Sequence, residues 1–295
     1  MVGSIHPLRV PRLAAYGHPS RFLFVFKADT NRIQDATPGP PAGDRAINDA
    51  ICASLCQLLN PADGNPSYEI LNEMGLWAEF ISCEEARVAY CRDGGLEVIV
   101  FAADPVLVEL LKPRYSTLKY WRGVDVHGAF LAHYKLMRGA LIGKVRQAAE
   151  ITGQRIKARW VTGHGLGGAC AQLFSYDLSS RGMSADHVVT FGQPRVGREA
   201  WRDSYDHYYR NTTRRYINQL DPVPRSPARA NGFRHTVGER YINADGKISS
   251  LNTWWHRTRD VIKHEESNGA GLEAYDEISH HGIGEYLAAI EKGTR

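Results

Sequence analysis

The chain has 295 residues, of which 43% are hydrophobic, and a formal net charge of +4. This length and apolar content suit one large domain with a buried core, so we expect a single domain over residues 1–295. Basic and acidic residues are interspersed along the chain, without a run of five or six like charges. A nucleic-acid-binding arm and a polybasic membrane anchor are therefore excluded.

The cysteines are odd in number and lack the spacing of metal ligands; they are Cys52, Cys56, Cys83, Cys91 and Cys170. Because a chain of this size does not depend on disulfides, we expect most of them to be buried thiols. We also expect no metal and no cofactor. The N-terminal segment lacks the apolar core of a signal peptide, and no stretch of about 18 apolar residues occurs. These features predict a cytoplasmic protein without stable membrane insertion.

The first third of the chain is interrupted at residues 30–46 and 60–66 by segments rich in proline, glycine and aspartate. We therefore expect residues 1–86 to form a cap or an extension over a sheet that starts later. Two β-rich runs, residues 87–91 and 96–101, flank Asp93, Gly94 and Gly95, which predicts a hairpin or two adjacent strands.

The middle of the chain alternates between helical and strand patterns. Apolar residues recur at three- and four-residue steps from Phe130 to Ala148, which predicts a long amphipathic helix whose stripe faces the core. Residues 156–162 are strand-like, residues 163–168 are dense in glycine, and a new helical face starts at Leu166. Residues 188–191 and 215–220 predict further strands. This alternation is typical of an α/β fold with a mostly parallel central sheet and helices on both faces.

The glycine-rich turn admits three interpretations. Gly163, Gly165 and Gly168 match the GxGxxG pattern of dinucleotide sites, but the acidic residue that should follow the next strand is absent, since Asp186 precedes that strand. The same turn matches the GxSxG nucleophile elbow, with Gly163 and Gly167 as flanking glycines and Gly165 in place of serine. An ordinary glycine-rich strand-to-helix turn is the third interpretation.

Four motifs in chain order carry a resemblance to a known family. They are VHGAF at residues 126–130, GHGLGGACAQL at 163–173, FGQPRVG at 191–197 and YINQLDPVPR at 216–225. Over about residues 87–290 the chain resembles the class 3 (fungal-type) lipase family. This resemblance implies an α/β-hydrolase fold, a nucleophile elbow at Gly165 and an apolar or acyl-type small-molecule substrate.

The resemblance also assigns the site residues. The catalytic acid of the family falls on Asp221, and its catalytic histidine falls on His281, with His280 as the alternative. The backbone of Leu166 and of Asp104 takes the position of the oxyanion donors. Two departures stand out: Gly165 has no oxygen to attack a carbonyl, and Asp104 follows two alanines where the family has arginine and glycine before its hydroxyl residue.

Three hypotheses account for these departures. We favour an enzyme that uses His281 and Asp221, with Asp104 as an acid, for elimination, isomerisation, cyclisation or water-mediated hydrolysis. A second hypothesis is a serine esterase or lipase inactivated at Gly165 by engineering. A third is a noncatalytic pseudo-hydrolase that binds a lipid or another small molecule, with the apolar residues 105–111 as a lid or a buried helix.

Overall fold

The structure is a computed structural model that describes residues 42–59, 76–83, 86–93, 95–102, 117–151, 156–219, 221–243, 245–250 and 281–293. The helices are α1 (Ala42–Leu59), α2 (Gly128–Ile151), α3 (Leu166–Ser179), α4 (Glu199–Tyr209) and α5 (Ile283–Gly293). Asp104, His280 and residues 105–111 lie outside the described residues.

The strands form one large sheet and one small one. They are β1 (Trp77–Cys83), β2 (Ala86–Asp93), β3 (Leu96–Phe101), β4 (Leu118–Trp121), β5 (Val124–His127), β6 (Ala158–His164), β7 (His187–Phe191), β8 (Thr213–Asn218), β9 (Glu239–Ile242) and β10 (Ile248–Ser249). The large sheet has the order β1-β2-β3-β6-β7-β8-β9-β10, and β4 pairs with β5 in a separate hairpin. Pairing is parallel from β3 through β9 and antiparallel at both ends.

The core occupies both faces of the large sheet. Every residue of β3 and of β6 is buried, which is the pattern of central strands covered on two sides. Helices α2, α3 and α4 pack on one face, and helices α1 and α5 pack on the other. The predicted α/β fold with a mostly parallel sheet and helices on both faces is confirmed.

The predicted elements from residue 86 onward are present, with ends that move by a few residues. The runs at residues 87–91 and 96–101 form the antiparallel pair β2 and β3. The sheet does not start after the first third, however, because β1 already pairs with β2 along seven residues. Within residues 1–86, the described parts are a helix on one face of the sheet and the outer strand β1.

A buried ion pair attaches α1 to the sheet. The guanidinium of Arg214 on β8 donates to both carboxylate oxygens of Asp49, at distances from 2.7 to 2.9 Å. The hydroxyl of Tyr216 donates to the same carboxylate at 2.6 Å. Asp49 is 1% exposed. The buried charged pair thus joins the first described helix to β8 of the large sheet.

The cysteines are free thiols, and all except Cys83 are buried. Burial raises the pKa of Cys56 and of Cys91 to about 12. The prediction that most of the cysteines are buried thiols is therefore confirmed.

The fold buries a neutral histidine at the end of β5. His127 is fully buried, its Nδ1 accepts the backbone N–H of Phe130 at 3.4 Å, and its ring stacks on Phe130 at 3.9 Å. Desolvation lowers the pKa of His127 to about 4. An unfolded histidine titrates near about 6.5, so the unfolded chain binds more protons between these two values. The stability that neutral His127 contributes is complete above about pH 6.5 and is lost as the pH falls toward 4.

Replacing His127 should reduce the acid sensitivity of the fold. In His127→Asn the side chain still offers an acceptor to Phe130 but no longer titrates. We expect the fall in the free energy of unfolding between about pH 7 and 4.5 to shrink by about 2 kcal/mol. Urea denaturation at both pH values measures this difference, with the exposed His207→Asn as control. An equal fall in the parent and in His127→Asn would contradict the assignment.

Candidate active site

The carboxyl ends of the parallel strands β3, β6, β7 and β8 meet at one edge of the sheet. Ligands of open α/β sheets bind at this edge. Gly165 follows β6, Gly192 follows β7, and Asp221 comes shortly after β8. The topology therefore gathers the sequence motifs, which are far apart in the chain, at a common edge.

Gly165 forms a sharp turn between β6 and α3, with φ 54° and ψ −122°. Its N–H donates to the carbonyl of Phe191 at 2.9 Å, which ties the turn to β7. A Cβ at Gly163 would overlap the backbone of Gly167, and a Cβ at Gly167 would overlap the carbonyl of Phe101. The two flanking glycines are thus required by close backbone contacts, as a nucleophile elbow requires.

Asp221 and His281 lie in direct contact. Nδ1 of His281 is 2.9 Å from Oδ2 of Asp221. Asp221 is fully buried, and the His281 side chain is 16% exposed. Two further donors hold the carboxylate: the Tyr286 hydroxyl at 2.5 Å from Oδ2, and the Val223 N–H at 2.8 Å from Oδ1. With three donors on it, the carboxylate is fixed in the orientation that pairs with imidazole.

Gly192 lies against this pair. It has φ 58°, and a Cβ there would be 2.8 Å from both Oδ2 of Asp221 and Nδ1 of His281. A side chain at this position would push the acid and the histidine apart. Only glycine satisfies both the backbone conformation and the space.

The histidine that precedes the elbow also contacts His281. Nε2 of His164 lies 2.6 Å from the backbone carbonyl oxygen of His281, and the two rings stack at 4.4 Å. Burial, together with the neighbouring His281, holds the pKa of His164 well below its usual value. His164 is therefore a neutral residue whose Nε2 donates to a carbonyl.

The end of β3 borders the elbow where oxyanion donors are expected. A Cβ at Gly167 would lie 2.6 Å from the carbonyl oxygen of Ala102. Leu166 is the first residue of α3, so its N–H has no acceptor within the helix. Asp104 follows Ala102 by two residues and lies outside the described part of the chain. The Leu166 N–H is therefore the described candidate donor to an oxyanion.

The site residues expected from the sequence, Gly165, Asp221, His281 and Leu166, lie at the same sheet edge. The contacts that Gly192, Tyr286 and His164 make with the acid and the histidine were not predicted. His164 adjoins Gly165 within GHGLGG and Gly192 lies within FGQPRVG, so their place in these motifs was the signal that the sequence offered. Their contacts to His281 depend on chain separations of about a hundred residues.

Within the described residues, no group of three or more histidine, cysteine, aspartate or glutamate side chains is arranged to hold a metal ion. Among the same residues, no helix has both the length and the apolar character needed to cross a membrane.

Comparison with known proteins finds similarity to lipases over part of the chain. The family model "Lipase (class 3)" matches residues 102–231. A lipase of Rhizomucor miehei is 33% identical over 171 residues, which cover 55% of this chain and 44% of the relative. A secreted mono- and diacylglycerol lipase of Malassezia globosa is 28% identical over 152 residues, covering 50% of this chain and 47% of the relative. The chain thus spans less than half the length of these curated relatives.

Solved structures share the fold. The triacylglyceride lipase of Rhizomucor miehei superposes with a TM-score of 0.59 at 22% identity, covering 92% of this chain and 97% of that one. A mutant form of MDLA from Penicillium cyclopium superposes with a TM-score of 0.60 at 19% identity, covering 83% of this chain and 94% of that one. The predicted α/β-hydrolase fold is confirmed.

The predicted cytoplasmic location is wrong. Relatives from Malassezia globosa, Gibberella zeae, Fusarium solani and Penicillium cyclopium are all named secreted lipases. The resemblance drawn from the four motifs is confirmed: residues 102–231 match the class 3 lipase family model, and the fold is that of the α/β-hydrolases.

Proposed function

We propose that this chain is a lipase-like enzyme in which the His281–Asp221 pair acts as a general base on an apolar or acyl-type small molecule, without a covalent serine intermediate. The observation that carries the proposal is the pair itself. Asp221 is fully buried, 2.9 Å from Nδ1 of His281, and held by two other donors. A carboxylate in this position orients imidazole and stabilises the imidazolium ion that forms on proton transfer.

Gly165 limits the reactions in which His281 can act as a base. Without a side-chain oxygen at the elbow, the chain cannot form an acyl-enzyme there. The base instead accepts a proton from water or from the substrate. In hydrolysis, Nε2 of His281 takes a proton from water as the water oxygen bonds to the carbonyl carbon. The C–O bond then breaks, and the imidazolium returns the proton to the leaving alkoxide.

The remaining parts of the site fit the same chemistry. The Leu166 N–H stands at the start of α3, where the helix dipole also favours negative charge. Asp104, which comes shortly after β3, is the proposed acid for elimination, isomerisation or cyclisation. The relatives named mono- and diacylglycerol lipases support an acyl ester as the first substrate class to test.

The test is hydrolysis of p-nitrophenyl butyrate by the parent and by two variants. We expect slow turnover without an initial burst, because no acyl-enzyme accumulates. His281→Ala and Asp221→Asn should each lower kcat/KM by at least about 10-fold, since one removes the base and the other can no longer stabilise the imidazolium. His207→Ala, on the exposed face of α4, is the matched control and should retain the parent rate.

An equal rate in the parent and in His281→Ala would show that the pair is not the base. Absence of turnover in all forms, together with saturable binding of the fluorescent fatty acid cis-parinaric acid, would favour the noncatalytic lipid-binding hypothesis.

A further inference from the structure

His164 contacts His281 in two different ways. It donates from Nε2 to the main-chain carbonyl of His281 at 2.6 Å, and its ring stacks on the His281 ring at 4.4 Å with 29° between the planes. His164 is 6% exposed, and Tyr286 lies edge-on to its ring at 6.1 Å. Both the backbone and the side chain of His281 are therefore held by one buried residue.

The protonation state of His164 follows from these contacts. A carbonyl oxygen only accepts, so the proton of His164 must be on Nε2. Burial, with the charge of His281 as a second cause, keeps the pKa of His164 well below its usual value. A neutral ring in this position stacks against His281 without repelling it when His281 becomes an imidazolium.

His281 is fixed from the other sides by the acid and by a glycine. Nδ1 of His281 is hydrogen-bonded to Asp221 at 2.9 Å. The ring also packs against Gly192, where a Cβ would overlap it. Nε2 is then the nitrogen available for proton transfer. His164 makes two contacts that neither Asp221 nor Gly192 makes: its ring stacks on the His281 ring, and its Nε2 donates to the His281 main-chain carbonyl.

We infer that His164 is a positioning residue that fixes the rotamer and the tautomer of His281 relative to the elbow. Because His164 immediately precedes Gly165, the contact links the proposed base to the turn that carries the reacting centre. Small displacements of a catalytic group cost large factors in rate, so such a link has a functional consequence. The catalytic meaning of this inference depends on the proposed function, whereas the contact itself is measurable without substrate.

The first experiment uses the parent chain labelled with ¹⁵N-histidine. Long-range ¹H–¹⁵N correlation spectra report the tautomer and charge of each histidine. We expect His164 to be neutral with its proton on Nε2 at about pH 6.5, the ordinary pKa of a histidine. Neutral His281 should carry its proton on Nδ1. A His164 that is mostly cationic at about pH 6.5, or a His164 proton on Nδ1, would overturn the inference without any variant.

The second experiment compares two substitutions of His164. His164→Phe keeps a stacked ring but removes the N–H donor, and His164→Gln keeps an N–H donor but removes the ring. We expect the His281 Nδ1–H signal to be lost in His164→Phe through exchange with water, and most of its intensity to return in His164→Gln. The surface variant His207→Gln should leave the signal unchanged.

Far-UV circular dichroism establishes that each variant is folded. An unchanged His281 signal and tautomer in folded His164→Phe would overturn the inference. In the Gly165→Ser background, His164→Phe should lower kcat for p-nitrophenyl butyrate by about 10-fold or more, with KM within about 2-fold. If His164→Phe loses the His281 Nδ1–H signal but keeps kcat in the Gly165→Ser background, the contact orders His281 but has no catalytic role.

Discussion

Replacing Gly165 by serine is expected to raise hydrolysis of p-nitrophenyl butyrate and p-nitrophenyl decanoate by at least about 100-fold over the parent. The turn already has the elbow geometry, with φ 54° at Gly165 and backbone contacts that require both flanking glycines. His281 and Asp221 are already paired at 2.9 Å. A serine hydroxyl at the elbow would complete the nucleophile, base and acid in the chain order of α/β-hydrolases. Initial rates, with an initial burst as the sign of an acyl-enzyme, measure the gain.

Two controls separate chemistry from strain. Gly165→Ala introduces the same Cβ at a positive φ, at a cost of about 1 to 3 kcal/mol in stability, but adds no oxygen. We expect it to show only the slow turnover of the parent, without a burst. Gly165→Ser combined with His281→Ala should lose the gained activity. If folded Gly165→Ser is inert, the segment that contains Asp104 and the adjoining pocket have been rebuilt for another reaction or for binding.

Breaking the Asp49–Arg214 pair is expected to destabilise the fold by about 3 to 5 kcal/mol. Asp49→Asn leaves the Arg214 guanidinium charged and 8% exposed, without its carboxylate, and weakens the hydrogen bond from Tyr216. An uncompensated buried charge accounts for most of this cost. Equilibrium urea denaturation followed by far-UV circular dichroism measures the free energy of unfolding.

The matched control is Glu199→Gln on α4. Glu199 pairs with Arg202 at 2.8 Å but is 66% exposed, and exposed pairs contribute between about 0 and 1 kcal/mol. The double variant Asp49→Leu with Arg214→Met should recover much of the loss, since it leaves no unpaired charge. A cost below about 1 kcal/mol in Asp49→Asn would mean that α1 is attached to the sheet mainly by its apolar contacts.

Much of this fold is encoded in local patterns. The three- and four-residue apolar period from Phe130 onward predicts α2, because a helix repeats every 3.6 residues and one face must be buried. The run Leu96–Phe101, apolar except for Glu97, predicts a strand, because strands buried on both faces are nearly continuous apolar runs. The spacing of Gly163 and Gly167 around Gly165 predicts the sharp turn, since a Cβ at either flanking position would overlap backbone.

Other features depended on contacts between distant residues. β1 escaped prediction because it is an edge strand of mixed polar and apolar residues, most of them partly exposed, so no clear period marks it. The ion pair that attaches α1 joins residues 165 positions apart, and no local pattern selects Arg214 as the partner of Asp49.

The sequence by itself determined the α/β fold, the elbow turn and the identities of Asp221 and His281 as candidate residues. Only the tertiary structure decided that Tyr286, Gly192 and His164 surround that pair. His164 and His281 are separated by 117 positions, and His281 and Asp221 by 60. Their distances are set by the order and register of parallel strands, whose carboxyl ends bring separate motifs to one edge of the sheet. Strand order is a property of long-range pairing, and this is why the motifs predicted the members of the site but not the contacts between them.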